Sequence, residues 1–456
     1  MNKRTFLKTS SALLAGSLFS PLISCNSPKT NTGKPLTNWA ENLTYSTGNV
    51  QYPKTVEEVR EIVKNADKIR ALGSRHSFNT IADSDVAQLS LKDLERTTTL
   101  DKSGNTITVE GSRRYGDFCE MLHKSGYALH NLASLPHISV AGACATSTHG
   151  SGIKNGNLAT AVAAIEFVNG AGEVVVLSRA QHPDEFDGAV VGLGCLGVVT
   201  KVTLNLQPTF LVQQAVYRNL PMAVLKDNFE TIMGAGYSVS LFTDWRNKNV
   251  NQVWIKSKVE GNSTEPMTLA PEFYGAKLAT QNMHPLDDHS AENCTEQMGV
   301  PGPWYERLPH FKMGFTPSSG KELQSEFFVP IDKAHEAMMA VESLHEQVSP
   351  HLFITEVRTI AADTLWMSPQ FGKTTVAIHF TWKPEWEAVQ KLLPQIEEKL
   401  ASFGARPHWG KLFTMSPAVL QSRIEKLSDF KALVAKHDPT GKFRNAFVES
   451  NLFTTA

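Results

Sequence analysis

The chain of 456 residues is long enough for two domains of ordinary size. Its hydrophobic fraction of 41% and charged fraction of 20% are typical of a folded globular enzyme and not of a disordered chain. The formal net charge is −1 and no basic stripe runs along the sequence, which argues against nucleic acid as a partner. Beyond the N-terminal leader, no apolar run reaches the length of about 18–20 residues that a membrane span requires.

Residues 1–25 resemble a bacterial export signal. A basic start (NKRTFLK, residues 2–8) precedes small and apolar residues, in a stretch too short to span a membrane stably. The stretch ends in LISC, which resembles a lipobox whose cleavage leaves Cys25 to carry lipid; a plain secretory leader with an incidental cysteine is the alternative. The Lys-Arg pair in the start resembles a relaxed twin-arginine signal. We therefore expect an exported, periplasmic or cell-envelope lipoprotein, with residues 26–36 as a polar tether.

The remaining cysteines and the histidines show no metal-binding pattern. Four cysteines follow the leader, none of them in a C-x-x-C pair: Cys119, Cys144, Cys195 and Cys294. Their apolar or small neighbours predict buried free thiols, although an exported chain could also form a disulfide. The histidines lack the H-E-x-x-H spacing, so we expect no metal site. The sequence also contains no G-x-S-x-G nucleophile elbow.

The first predicted elements are a helix and a short strand that lead into a turn. Residues 55–58 (TVEE) have the capping-box pattern. The apolar residues that follow fall on one helical face: Val56, Val59, Ile62 and Val63. Residues 69–72 then read as a short strand, and the chain turns at Gly73 and Ser74. Backbone N–H groups of such a turn point beyond the strand end, an arrangement that suits a phosphate.

Further along, strands and helices mix without a long parallel βαβ series, which predicts an α+β fold. Two hairpins are expected, residues 97–100 with 106–109 and residues 165–168 with 174–177. Helices are predicted over residues 115–123, 332–347 and 385–403, with Met338, Val341 and Leu344 on one face of the second. Alternating or aromatic segments at residues 239–245, 253–255 and 326–329 are typical of an antiparallel sheet.

Residues 134–152 form a long stretch of small, hydroxyl-bearing and glycine residues that cannot pack a core of its own. Such a segment lets the backbone approach a ligand closely and offers many N–H and O–H donors. A flexible linker is the alternative. Residues 192–199 (GLGCLGVV) repeat this composition, but they lack the preceding strand and the following acidic residue of a Rossmann fingerprint.

Ten ordered motifs span nearly the whole chain after the leader: TNWA (37–40), GSRHSFN (73–79), ASLPHISVAG (133–142), THGSG (148–152), YSVSLFTDW (237–245), PGPW (301–304), EVRT (356–359), HFTW (379–382), RPHWGK (406–411) and GKFRNAF (441–447). Together they resemble the vanillyl-alcohol oxidase family of FAD enzymes, and within it the alditol (xylitol) oxidases. The resemblance implies a two-domain FAD-binding fold with an antiparallel-sheet substrate cap. The FAD-binding domain would cover residues 37–207, the cap residues 208–405, and a C-terminal segment, residues 406–456, would return to the flavin.

In this family the histidine of the G-S-x-H-S turn is bonded covalently to the flavin, so the resemblance makes His76 the expected attachment point. A neutral imidazole is a competent nucleophile near pH 7; a turn histidine that only hydrogen-bonds its neighbours is the alternative. Arg75 stands where many relatives have glycine, so a turn that needs a positive φ there would be strained. The resemblance places further residues at the cofactor: Gly73, Ser74, Arg75, Ser77, Ser134, His137, Ser139, Gly142, Thr146, His149, Gly150, Gly152, Gly197, Val199 and Asn445.

Two pairs of polar residues in the second half are spaced to share one face of a strand. Glu356 and Arg358 are two residues apart, and so are His379 and Thr381. By spacing alone, an ordinary salt bridge on a sheet face would explain the first pair. The resemblance instead assigns all four to substrate binding. A carboxylate, a guanidinium, an imidazole and a hydroxyl suit the successive hydroxyls of a polyol.

The resemblance implies oxidation of a terminal hydroxyl of a polyol such as xylitol or sorbitol, with hydride transfer to flavin N5 and reduction of oxygen to hydrogen peroxide. It adds Ser134 and Lys411 to the substrate site; a solvated lysine is the alternative for Lys411. Arg358 and Lys411 are the catalytic candidates because positive groups stabilise a developing alkoxide. Other functions stay open: an aldonolactone oxidase or a quinone-linked polyol dehydrogenase of the same fold, and a non-catalytic sugar-binding lipoprotein.

Overall fold

The computed structural model describes residues 35–314 and 321–454, so the leader with Cys25 lies outside the described residues. Within the described ranges, no helix has both the length and the apolar character that a membrane crossing demands. The described cysteines are buried and free, as predicted: Cys119, Cys144, Cys195 and Cys294.

The described residues contain twenty strands: β1 (Val50–Gln51), β2 (Arg70–Ala71), β3 (Gln88–Leu89), β4 (Thr99–Asp101), β5 (Thr106–Glu110), β6 (Tyr127–Ala128), β7 (Val162–Val168), β8 (Val174–Ser178), β9 (Val198–Asn205), β10 (Gln207–Pro208), β11 (Leu211–Pro221), β12 (Ser238–Thr243), β13 (Asn249–Lys258), β14 (Glu272–Phe273), β15 (Ala276–Leu278), β16 (Gly302–Pro303), β17 (Leu323–Pro330), β18 (Leu352–Ile360), β19 (Thr375–Trp382) and β20 (Arg406–Pro407).

The same residues contain twelve α-helices, with short 3₁₀ turns between them: α1 (Val56–Asn65), α2 (Cys119–Lys124), α3 (Val140–Ala145), α4 (Pro183–Ala189), α5 (Leu225–Met233), α6 (Trp304–Arg307), α7 (Ala334–Glu342), α8 (His345–Val348), α9 (Trp386–Leu400), α10 (Pro417–Ser422), α11 (Leu427–His437) and α12 (Ala446–Val448).

Two antiparallel sheets dominate the fold. The first has five strands in the order β4-β5-β9-β7-β8. The second has ten strands in the order β14-β15-β11-β13-β12-β18-β19-β17-β20, with β16 paired to β11. The small sheet of β1, β2 and β3 is parallel. This mixture confirms the predicted α+β class and the antiparallel sheet of the second half, while the division into domains at residues 207 and 208 stays a prediction.

The first helix forms where its capping pattern predicts it. The Thr55 side chain accepts a hydrogen bond from the Glu58 backbone at 3.2 Å, and Val59 and Val63 are fully buried. The Glu58 carboxylate accepts from the backbone N–H of Lys54, one residue before the partner that a strict capping box would use. The start of α1 is therefore anchored on both sides of the cap.

The two predicted hairpins exist, with one shifted start. Strands β7 and β8 pair as expected, with Ile165 opposite Leu177. The other hairpin begins at Thr99 and not at residue 97, because the backbone N–H of Thr97 donates to the Glu110 carboxylate instead of a strand partner.

The helix predicted over residues 115–123 is wrong in its first turn. Tyr115–Asp117 is a 3₁₀ turn, and α2 begins only at Cys119. The backbone N–H groups of Tyr115 and Gly116 donate to the carbonyls of Ile138 and Pro136, so tertiary contacts hold this turn.

The helix predicted over residues 332–347 is interrupted, since α7 ends at Glu342 and α8 starts at His345. The Ser343 hydroxyl donates to the Ala340 carbonyl at 2.7 Å, a local bond that competes with continued helix. Its predicted apolar face is buried: Met338, Val341 and Leu344. The helix predicted over residues 385–403 is observed as α9 followed by a 3₁₀ turn.

The ten-stranded sheet has one apolar and one polar face in its centre. Phe327, Val357 and Ile378 point to one side and belong to the same apolar core as α7 and α9. On the other side the strand register sets three polar residues in one row across β17, β19 and β18: Glu326, His379 and Glu356. Because directly opposed residues of neighbouring strands share a face, this row forms a continuous polar surface.

Candidate active site

A cavity of about 860 Å³ is lined by segments from both halves of the chain. One wall consists of the turn after β2, the small-residue stretch before and within α3, and the glycine-rich loop before β9. The other wall is the polar face of the ten-stranded sheet. The volume is in the range of sites that hold a cofactor or a small ligand.

The turn at residues 73–77 presents free backbone donors to this cavity. All five residues line it, and among the described residues no acceptor takes a hydrogen bond from their backbone N–H groups. Arg75 has a φ of +64°, so the expected left-handed backbone is present without glycine. Its guanidinium donates to the Thr37 carbonyl at 2.8 Å, which ties the strained residue to the preceding segment.

His76 is held in one orientation and has one free nitrogen. Its ring stacks on Trp39 with centroids 5.0 Å apart. Its Nδ1 lies 3.0 Å from the Ser74 carbonyl and therefore carries the proton as donor. Nε2 is buried and has no partner among the described residues. Burial lowers the pKa of His76 to about 4, so the imidazole is neutral at physiological pH.

Two glycines keep the wall beside this turn open. A Cβ at Gly73 or at Gly142 would lie 2.8 Å from the Ser139 hydroxyl oxygen, too close for an ordinary contact. The same hydroxyl is buried without a partner in the described part of the chain. A buried polar atom without a partner indicates a site that a polar ligand completes.

Most residues predicted at the cofactor line the cavity: Gly73, Ser74, Arg75, His76, Ser77, Ser134, Ser139, Gly142, Thr146, His149, Gly197 and Val199. The others lie outside its lining: His137, Gly150, Gly152 and Asn445.

Each of these outer four has another contact. The His137 ring bonds the Met313 carbonyl at 2.8 Å, and Asn445 caps α12 through the backbone of Val448. Gly150 and Gly152 are close to other backbone: a Cβ on either would lie within 2.5 Å of a carbonyl oxygen. These contacts support the wall of the cavity, and the assignment of the four residues to the cofactor stays a prediction.

The six residues predicted to bind substrate all line the cavity: Ser134, Glu356, Arg358, His379, Thr381 and Lys411. Arg358 is central among them. Its Nη2 donates to Glu326 Oε1 at 2.9 Å, its Nε lies 3.6 Å from Glu356 Oε2, and its Nη1 lies 3.4 Å from the Ser134 hydroxyl. Burial alone would raise the pKa of Glu356, but the charge of Arg358 and the His310 contact hold it below the ordinary carboxyl range.

Glu326 was missed in the sequence and is nevertheless the second carboxylate of the site. His149 Nε2 lies 3.1 Å from Glu326 Oε1, and His149 Nδ1 lies 2.8 Å from the Gly150 carbonyl. Both ring nitrogens of His149 face acceptors, and Glu326 Oε1 is shared between His149 and Arg358. Burial opposes the charge on Glu326, but His149 and Arg358 outweigh it and keep its pKa well below the usual value.

Lys411 reaches the cavity beside the polar row. Its ammonium donates to the Gln324 side chain and lies 5.2 Å from the centre of the Phe78 ring. His379 Nε2 lies 3.2 Å from the same Gln324 oxygen. Burial lowers the pKa of Lys411 to about 8 and that of His379 to about 3. Gln324 was also missed, although it is two residues from Glu326 and shares its face of β17.

His149, Glu326 and His408 come close enough to suggest a metal site, with ligand atoms within 4.8 Å of one another. Their hydrogen bonds oppose this interpretation. His408 Nδ1 accepts from the backbone of Gly410 at 3.0 Å, so the neutral ring carries its proton on Nε2 and offers no lone pair there. Arg358 already neutralises Glu326.

Comparison with known proteins defines the class of this fold and cavity. Cholesterol oxidase from B. sterolicum has the same fold, with a TM-score of 0.75 over 92% of this chain and 96% of that chain at 14% identity. The family described as FAD binding domain matches residues 49–178, and the family described as D-arabinono-1,4-lactone oxidase matches residues 316–451. The protein is an FAD-binding oxidoreductase.

Relatives over the full length narrow this class. Alditol oxidase from a Streptomyces species is 47% identical over 91% of this chain and 99% of its own. L-gulonolactone oxidase from Mus musculus is 26% identical over 91% of this chain and 98% of its own. L-gulono-1,4-lactone dehydrogenase from Mycobacterium tuberculosis is also 26% identical, over 90% of this chain and 97% of its own. The chain belongs to the alditol oxidase family.

The cavity fits FAD. The free N–H groups of residues 73–77 and the partnerless Ser139 hydroxyl offer hydrogen bonds to a pyrophosphate or a polyhydroxyl chain. The bare glycine backbone at Gly73 and Gly142 leaves room for such a group to approach. His76 would lie against the flavin end, because it shares the cavity with the substrate residues.

Proposed function

We propose that the protein oxidises a terminal hydroxyl of a polyol, such as xylitol or sorbitol, to the aldose. Bound FAD would supply the acceptor for the hydride of the carbinol carbon, with molecular oxygen as the final electron acceptor and hydrogen peroxide as the second product. The observation that carries this proposal is the row of Glu326, His379 and Glu356 beside Arg358 in one buried wall. A substrate without several hydroxyls would leave these polar groups unpaired.

The six predicted substrate residues divide into two groups. Arg358 and Lys411 supply positive charge, which stabilises the oxygen of the reacting hydroxyl as its proton leaves. Glu356, Thr381 and Ser134 orient the other hydroxyls as acceptors and donors, with neutral His379 beside them. Fixing the substrate in this way lowers the entropic part of the barrier.

A second part of the proposal is a covalent bond between FAD and His76. It is supported by the neutral ring, the buried free nitrogen and the stacking on Trp39. A neutral imidazole with a free lone pair is the form that acts as nucleophile. Arg75 supports the orientation of the turn from the other side.

Peroxide formation by the FAD-loaded protein tests the activity. We expect turnover of xylitol and sorbitol to exceed that of aldonolactones and of simple alcohols. Faster turnover of an aldonolactone would favour the lactone oxidase alternative. The match of residues 316–451 to the D-arabinono-1,4-lactone oxidase family supports that alternative. Flavin that is reduced by polyols but gives no peroxide would favour a quinone or another acceptor. A protein that binds polyols without reducing flavin would be a sugar-binding protein.

We also propose that the protein is exported and anchored by lipid at Cys25. The support is the LISC sequence at residues 22–25 after a basic and apolar leader. The test is fractionation of cells that express the full chain and its Cys25→Ala variant. Unchanged membrane association of the variant would exclude the anchor, because a lipid attached at Cys25 could not then be what holds the protein at the membrane.

A further inference from the structure

Lys256 is a fully buried lysine on β13 with no part in the reaction described above. Its side chain is only 1% exposed. The nitrogen lies 2.6 Å from the Leu308 carbonyl, 3.1 Å from the Pro309 carbonyl and 3.0 Å from His310 Nδ1. An ammonium has three N–H donors, and each of these acceptors takes one. The pocket is therefore built for a charged lysine.

His310 links Lys256 to Glu356 in the substrate wall. Because Nδ1 faces the Lys256 ammonium as acceptor, the ring proton is on Nε2. Nε2 lies 2.7 Å from Glu356 Oε1 and donates to it. A proton shifted from Lys256 to His310 would leave this Nε2–H donor in place.

The surroundings hold the His310 ring still. Its centroid lies 5.6 Å from that of Phe242 and 5.1 Å from that of Trp254, both in edge contacts. Its backbone N–H donates to the Ser134 carbonyl at 3.2 Å, so the segment that carries His310 also touches a predicted substrate residue. The ring cannot turn without disturbing Phe242, Trp254 or the Lys256 contact.

Glu356 is thus held from two sides. His310 binds Oε1, and Arg358 Nε lies 3.6 Å from Oε2. His310 orients the ionised carboxylate through Oε1, and Oε2 is at ion-pair but not hydrogen-bond distance from Arg358, so Oε2 keeps lone pairs that can accept hydrogen bonds from the cavity. A substrate hydroxyl is such a donor.

We propose that Lys256 and His310 are positioning residues for polyol binding, which act by holding Glu356 as an ionised, oriented acceptor for a substrate hydroxyl. The inference rests on the proposed polyol oxidation. It predicts that both residues affect how tightly the polyol binds more than how fast the bound polyol reacts, because His310, although it also lines the cavity, and Lys256 act through Glu356, which orients a hydroxyl in the proposed function.

The experiment is a double-mutant cycle on the flavin-loaded protein. Anaerobic reduction of the flavin by xylitol in a stopped-flow instrument gives the Kd and the rate of reduction separately. We expect His310→Leu to raise the Kd at least about tenfold and to change the reduction rate less than about threefold. In a Glu356→Gln background, the same substitution should change the Kd less than about threefold, because the acceptor that it positions is already altered.

Matched variants keep the test decisive. Lys256→Met should follow His310→Leu in both backgrounds, whereas His310→Gln keeps an N–H donor for Glu356 and should retain most of the affinity. If His310→Leu does not fold, Lys256→Met and His310→Gln answer the question. Equal losses with and without Glu356→Gln would overturn the inference. No flavin reduction by any polyol in the unmodified protein would instead refute the proposed function.

Discussion

Arg358 and Glu326 form a buried ion pair at 2.9 Å, with side chains that are 8% and 1% exposed. The pair joins β18 to β17, two strands that are separated by β19. It also fixes the plane of the guanidinium, so that Nη1 and Nε face Ser134 and Glu356. Glu326 thereby acts on the substrate wall through Arg358.

Removal of the Glu326 charge is expected to cost both stability and activity. Glu326→Gln leaves the buried Arg358 guanidinium without its anion, a loss of about 3–5 kcal/mol for a broken buried pair. kcat/KM for xylitol should fall as the guanidinium loses its fixed orientation. Denaturant unfolding and peroxide assays measure the two effects. Glu120→Gln, which breaks an exposed pair with Lys124, is the control and should change neither.

Substitution of His76 should release the flavin. The unmodified protein is expected to stay yellow after acid precipitation, because the cofactor is bonded to the chain, whereas His76→Ala should lose its colour to the supernatant. Turnover of the variant should be slower if the bond also raises the flavin potential. His335→Ala, which removes an imidazole on α7 that does not line the cavity, is the matched control and should keep the bond. Acid release of all flavin from the unmodified protein would contradict the covalent assignment.

Local sequence patterns were sufficient for the elements that carry the site. The two-residue spacing of Glu356 with Arg358, and of His379 with Thr381, predicted shared faces on strands, and β18 and β19 do pair. Gln324 and Glu326 have the same spacing, but the predicted strand segment covers only residues 326–329 and so contains only one of the two. Attention to polar pairs on and next to every predicted strand would have found them.

The support behind the wall had no such local signal. Lys256 and His310 are 54 residues apart and meet Glu356 only through the packing of a loop against β13 and β18. A lone lysine within an apolar strand reads as an exposed residue, and its burial depends on the carbonyls of Leu308 and Pro309. Helical and strand periodicity relates only residues that are close in the sequence, so it cannot predict such long-range contacts.

The enzyme should select polyols over simple alcohols, because a smaller substrate leaves polar groups of the cavity without hydrogen-bond partners. Ethanol offers no hydroxyl to Glu356, Thr381 or Ser134, and each unsatisfied group costs about 1–3 kcal/mol. We expect kcat/KM for ethanol to be lower than for xylitol by at least about 100-fold. Steady-state peroxide assays with xylitol, a shorter polyol and ethanol measure the trend. Similar values for ethanol and xylitol would rule out the polyol site.

The pH dependence should report the charge of Lys411. Burial lowers its pKa to about 8, so the stabilising ammonium is present below pH 8 and is lost as the pH rises through this value. Titration of Lys411 should therefore leave kcat/KM for xylitol unchanged below pH 8 and lower it above pH 8.

Lys411→Arg tests this assignment, because a guanidinium keeps its charge throughout the range. The fall near pH 8 should disappear in the variant, whatever its absolute activity. Burial lowers the pKa of Lys256 to about 7, so a fall that persists at lower pH in Lys411→Arg would belong to Lys256. A kcat/KM that rises from pH 7 to pH 9 in the unmodified protein would instead identify Lys411 as a neutral base, and its role as a stabilising cation would be wrong.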